Sequence, residues 1–215
     1  MRLIILSLLV PFIVNATCLP QNDLNIPPFE GRSVATGISR ATFNAAIDEL
    51  EDVYGPIFYN ARCPLIILRS WQDGTVNAQA WQQGGLCFVQ MFGGLARYPE
   101  MGKRTFQLVL CHEIGHHIGG PPYYSGERLS VEGQSDYFAT LDCMRRIGVN
   151  PSIASLNMAT ILSQLNNEVT PSRSTRATER VTRTIQSHPR AQCRLDTYDA
   201  AYDGQSRPRC WYAGR

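Results

Sequence analysis

The stretch FQLVLCHEIGHHIGG, residues 106–120, decides how this chain is read. Its apolar residues run on without a turn former until Gly119-Gly120-Pro121-Pro122, so the pattern predicts a helix from about residue 104 that stops there. Inside it, His112-Glu113-Ile114-Gly115-His116 is HExxH. Residues four apart share a helix face, so both imidazoles can reach one tetrahedral metal ion. Glu113 stands beside the coordination position they leave open, where a carboxylate can take a proton from bound water. Composition alone yields such a pattern on the order of 0.003 times in a chain of this make-up.

A catalytic zinc site needs a third protein ligand and leaves the fourth position to water. A third histidine six residues after the second is excluded, because that position is Pro122. The next predicted helix, about residues 130–147, carries Glu132-Gly133-Gln134-Ser135-Asp136. Glu132 and Asp136 are again four apart and can both face the first helix. Glu132 is then the third zinc ligand, and Asp136 orients a ligand histidine through its other ring nitrogen. The bland alternative makes both of them solvated helix-face charges.

Around this centre the chain reads as an α+β domain of the zincin type, a small β-sheet packed on a metal-binding helix bundle. Ser39 caps a helix over about 40–54, with Phe43, Ile47, Leu50 and Tyr54 at helical spacing and Gly55-Pro56 as its stop. Three strand-like runs follow at 64–71, 75–82 and 86–92. Asp73-Gly74 and Gln83-Gly84-Gly85 read as the hairpin connections between them. A third helix starts near Pro151. A fourth, TRATERVTRTIQ, lines up Arg173, Arg176, Arg180 and Arg183 as a solvated stripe. The tail is expected to be only partly helical.

Residues 1–16 are set apart, since Arg2, an apolar run from Leu3 to Val14 and then Asn15-Ala16 have the form of a secretory signal peptide. That leaves residues 17–215 as the domain, exported to the periplasm or secreted, with no stretch near the roughly 20 apolar residues a bilayer span needs. The formal charge of +2, from 20 basic and 18 acidic residues, is too balanced for a nucleic-acid binder. A lipid anchor on Cys18 is a lesser alternative, because Asn15-Ala16-Thr17 fits lipoprotein processing poorly.

Seven cysteines in an exported chain are expected to be mostly paired, with one left over. Cys111, within the apolar run, is the expected free thiol. Cys63 and Cys87, at the same ends of two strands, are expected to pair. Cys143 with Cys193 and Cys18 with Cys210 complete the set.

The motifs resemble the gluzincin zinc peptidases, most closely the HtpX-like and prenyl-protein-endopeptidase-like branch. Val76-Asn77-Ala78, Phe92-Gly93-Gly94-Leu95, CHEIGHH, VEGQSDYFA and Ser187-His188-Pro189 with Arg194 follow in that family's order over about residues 75–195. The resemblance implies zinc held by His112, His116 and Glu132, Glu113 as the base, and a strand beside the cleft that pairs with an extended polypeptide substrate. The chain differs in having no membrane spans, a short His116–Glu132 gap and cysteines near the site. His188, in the shared His-Pro element, either donates to the reaction's oxyanion or occupies the fourth zinc position. Its bland alternative is a partly exposed turn histidine, and His117 reads as a packing residue or one that supports a ligand, rather than as a ligand itself. The function expected is a zinc endopeptidase. The alternatives are an inactive zinc-stabilised binding module, which retention of Glu113 argues against, and a cell-wall peptide or amide hydrolase with the same site.

Overall fold

The computed structural model describes residues 16–28 and 37–214, so the proposed leader, Ala16 apart, lies outside the described residues. The first helix, α1 (Arg40–Asn60), is capped by Ser39, whose Oγ accepts from the Thr42 N–H at 3.1 Å. It buries Phe43, Ala46, Ile47, Leu50, Tyr54 and Phe58 along one face. The expected stop at Gly55-Pro56 is corrected, because the helix carries Pro56 inside it. An interior proline costs about 3 kcal/mol. Full burial of Phe58 beyond it, worth about 1.5–3 kcal/mol, offsets much of that and holds the last turn on the core.

The sheet contains β1 (Ala16–Thr17), β2 (Leu65–Ser70), β3 (Ala78–Gln83) and β4 (Leu86–Phe92) in the order β1-β3-β4-β2. β3 and β4 form the expected hairpin, with Gln83 opposite Leu86 and both Gly84 and Gly85 at positive φ, the conformation a two-residue turn demands. The Asp73-Gly74 hairpin is corrected, since β2 runs parallel to β4, Leu65 opposite Cys87, and does not pair with β3. The physical reason lies in the connection. Arg97 donates to the carbonyls of Ile26, Trp71 and Asp73, so the backbone after β2 is tied down as a crossover rather than a tight turn.

A short turn, α2 (Gly93–Ala96), leads into α3 (Lys103–Ile118), which ends at Gly119 as its sequence predicts. Every residue of α3 from Thr105 to His116 is buried. It is the hub of the fold, packed on α1, the sheet, α4 and α6. The predicted 130–147 helix is α4 (Glu132–Phe138), a π turn at Ala139–Cys143 and α5 (Met144–Arg146). The third expected helix is α6 (Ser152–Leu165).

The fourth expected helix is corrected, because no helix lies between α6 and α7 (Ala191–Tyr202). Within TRATERVTRTIQ only Val181 and Ile185 supply large apolar side chains, too few for a helix to bury a face. The segment instead hangs on α7 by polar contacts. Asp196 accepts from the Ala177 N–H and from Arg176, and Arg173 forks onto Asp199. Arg173 and Arg176 are paired with these carboxylates, yet all four arginines stay exposed to solvent as expected, and the tail is partly helical through α7 alone.

Three disulfides close the chain, Cys63–Cys87, Cys111–Cys143 and Cys193–Cys210, with Cys18 free and buried. The first pairing is as expected; the other two and the free-thiol assignment to Cys111 are corrected. Cys111 lies in the contact of α3 with the π turn that holds Cys143. Cys193, at the start of α7, is instead drawn to Cys210, where Val131 and Trp211 form a small second core. No helix among the described residues is long and apolar enough to cross a membrane.

Candidate metal centre

Helical spacing on α3 sets His112 Nε2 and His116 Nε2 3.0 Å apart. Two tight helix contacts bring Glu132 to them. A Cβ on Gly115 would stand 3.0 Å from Ser135 O and from the Phe138 ring, so the glycine lets α4 lie directly on α3. At the head of α4, Glu132 Oε2 is 3.1 Å from His112 Nε2 and Oε1 is 3.7 Å from His116 Nε2. All three side chains are buried. Two ligands each about 2.0–2.1 Å from one zinc ion stand about 3.3 Å apart at the tetrahedral angle, and the observed separations bracket that value.

Hydrogen bonding behind the cluster sets its charge. His116 Nδ1 lies 2.7 Å from the Ser130 carbonyl oxygen, which can only accept, so Nδ1 carries the proton. His112 Nδ1 lies 2.7 Å from Asp136 Oδ1. That carboxylate also takes Arg194 Nε and Nη2 at 2.7 and 2.6 Å and the Tyr198 hydroxyl at 2.7 Å. Asp136 is thus ionised and accepts from His112 as well. Burial works to raise its carboxyl, and Arg194 and His112 more than reverse that, holding it at about 2. Both Nε2 atoms are then left with lone pairs facing each other and Glu132, whose Oε2 accepts no hydrogen bond. Three converging acceptors in a dry site repel one another unless a cation lies between them.

Without a metal, the cluster takes up a proton on His112 in its place. Burial lowers His112, but Asp136 and Glu132 overcome it and raise the group to about 9. Burial takes His116 down to about 3. The Glu132 carboxyl, raised by burial, is pulled well below the usual carboxylate range by His116, His112 and His188 around it. The site gathers positive charge, and a divalent ion satisfies more of these acceptors than one proton does. The residues present fit a metal ion.

Glu113 lies beside this cluster, fully buried, with neither carboxylate oxygen hydrogen-bonded. Burial, reinforced by the Glu132 charge against the pull of His112 and Arg194, pushes it up to about 8. His188 also comes to the site. Its Nε2 is 3.3 Å from Glu132 Oε2 and 2.6 Å from the Thr17 carbonyl oxygen, while the ring stays partly exposed. His117 faces the other way, with Nε2 2.9 Å from the Phe88 carbonyl oxygen and its ring edge-on to Phe58, and it packs as expected. Cys18 is buried, its Sγ 3.7 Å from Arg194 Nη2.

Three residues were not picked out from the sequence as parts of the site. Tyr124 donates to Glu132 Oε1 at 2.5 Å. Tyr198 and Arg194 hold Asp136 from one face of α7, being four residues apart. That spacing, together with the place of Arg194 in the family resemblance, was the available signal. No protein-family model, curated protein or solved structure matches this chain.

Proposed function

We propose that the protein is a zinc-dependent endopeptidase acting on polypeptide substrates. Glu113 carries the reading. A buried acceptor without a partner costs about 1–3 kcal/mol, more when charged, and a site that only holds a metal shut has no use for one. Two histidines and a glutamate are a donor set of catalytic zinc. When bound, the ion lowers the pKa of a water and polarises a carbonyl. Glu113, brought toward neutral pH by its burial, takes a proton from the attacking water and passes it to the leaving nitrogen. His188 Nε2 donates to a backbone carbonyl oxygen, so that nitrogen has no lone pair for a metal, and its fitting role is the oxyanion donor rather than a blocking ligand. The edge of β3, along which residues 16–18 of the chain itself lie, is the kind of strand an extended peptide pairs with. Three disulfides suit an exported protein in an oxidising compartment.

The test is casein hydrolysis with metal analysis, wild type beside Glu113→Gln. The variant is expected to keep one zinc and to lose activity by on the order of 10²-fold or more. His188→Ala lowers kcat by on the order of 10²-fold if it is the oxyanion donor. Undiminished turnover in Glu113→Gln removes the proposal. Cleavage of purified peptidoglycan with casein untouched moves the substrate to the cell wall.

A further inference from the structure

The edge of β3 is already paired, and its partner is the chain itself. Ala16 and Thr17 lie antiparallel to Ala80 and Gln79. Beyond them, the Cys18 N–H donates to the Ala78 carbonyl at 3.3 Å. Asn77 clamps Leu19 from both sides, accepting from its N–H at 3.1 Å and donating to its carbonyl at 3.2 Å. The Thr17 carbonyl accepts from His188 and the Cys18 carbonyl from Arg194 Nη1 at 2.6 Å each. Cys18 and Leu19 are fully buried. The Cys18 Sγ and ligand atoms of His112 and Glu113 lie within 4.8 Å of one another.

This is how a sheet edge holds an extended peptide, main chain paired and side chains pocketed. Every group that grips residues 17–19 belongs to the site or to the strand beside it. The carbonyl on His188 is that of the Thr17–Cys18 peptide bond, and the same Nε2 is beside Glu132.

We propose that the Thr17–Cys18 bond is itself a substrate of this site, an inference that rests on the peptidase reading. The oxygen of a water bonds to the Thr17 carbonyl carbon while Glu113 takes one of its protons. The carbon–nitrogen bond then breaks as Glu113 gives that proton to the Cys18 nitrogen, leaving a carboxylic acid on Thr17, whose proton passes to the new Cys18 amine to give carboxylate and ammonium. His188 donates to the carbonyl oxygen as its negative charge grows. The position after the cut is a closed pocket against His112, Glu113 and Arg194, already filled by a cysteine. The substrate class is therefore a peptide with a small, uncharged residue following the cleaved bond.

The test is the N-terminus of the zinc-loaded full chain by intact mass, wild type beside Glu113→Gln made in the same host, since upstream processing by the host acts on both alike. The wild type is expected to begin at Cys18, and Glu113→Gln to retain Thr17. Cys18→Ala is expected to be cut and Cys18→Arg to stay whole. Placement is read without turnover by alkylating Cys18 in metal-free Glu113→Gln. The thiol is expected to be protected, and Asn77→Ala, by removing two hydrogen bonds, to speed its reaction about tenfold. Identical N-termini overturn the proposal, as does a Cys18 thiol that reacts freely in the folded protein. If casein is then still hydrolysed by the wild type, the peptidase reading survives; if it is not, both fall.

Discussion

Arg194 and Asp136, both fully buried, meet through two hydrogen bonds at 2.7 and 2.6 Å, and the carboxylate so held turns its Oδ1 to the ring of His112. The guanidinium neutralises a charge that would otherwise be stranded in the core, and so lets a carboxylate stand behind a candidate metal-ligating histidine. Removing one member of a buried pair costs about 3–5 kcal/mol, because the other is left unpaired. Arg194→Met is therefore expected to lower the urea midpoint of unfolding severely. A loss within error of zero shows that Asp136 does not depend on Arg194 for its charge.

The same pair makes the protein acid-sensitive with a definite sign. Asp136 is held at about 2 in the folded chain, below the roughly 3.9 of an unfolded aspartate. Its stabilisation is fully present above pH 4 and is lost as pH falls toward 2. The amount is about 2 kcal/mol. Unfolding of metal-free protein between pH 5 and 2 should show this dependence, and Asp136→Asn should flatten it.

Metal affinity should depend on the groups behind the ligands as well as on the ligands. His112→Ala, His116→Ala and Glu132→Ala each remove one converging acceptor and are expected to abolish stoichiometric zinc. Asp136→Asn keeps the ligands but weakens the hold on His112, for an expected loss of about 10–100-fold in affinity. Competition against a chelator of known affinity measures both.

Gly133 follows Glu132, the candidate third ligand, and packs against Trp211. A Cβ there would sit 2.3 Å from the indole ring, which is itself fully buried. Gly133→Ala is expected to cost about 1–3 kcal/mol by overpacking. Because the clash pushes on the first turn of α4, zinc affinity should fall too. Unchanged zinc affinity in a destabilised variant would mean that Glu132 moves independently of the Trp211 contact.

Peptide mapping without reduction should find Cys63 with Cys87, Cys111 with Cys143 and Cys193 with Cys210, and a single thiol at Cys18. Replacing Cys111 and Cys143 together by alanine is expected to cost about 3 kcal/mol. It would also free α3 from the π turn one residue before His112. A bridge containing Cys18 contradicts this structure.

Local patterns in the sequence were enough to determine α3, its stop at Gly119, the hairpin between β3 and β4, and the candidate roles of His112, Glu113, His116, Glu132 and Asp136. Helical spacing of four and glycine turns act over a few residues, so they are visible in one dimension. Contacts between distant segments are not. Whether β2 pairs with β3 or β4 was settled by Arg97 reaching carbonyls far from it in sequence. Burial of Phe58 decided that α1 would continue past Pro56. The partners of Cys111 and Cys193, unlike the Cys63–Cys87 pair, were out of reach for the same reason, since pairing depends on which side chains the fold brings together and composition constrains only how many are left over. Arg194, 58 positions from Asp136, and Thr17, 171 from His188, became parts of the site only when α7 and the first strand closed on α3 and β3. The metal cluster was legible because its ligands lie on two helices near in sequence, whereas the charge that supports it and the peptide bond that lies across it come from the two ends of the chain.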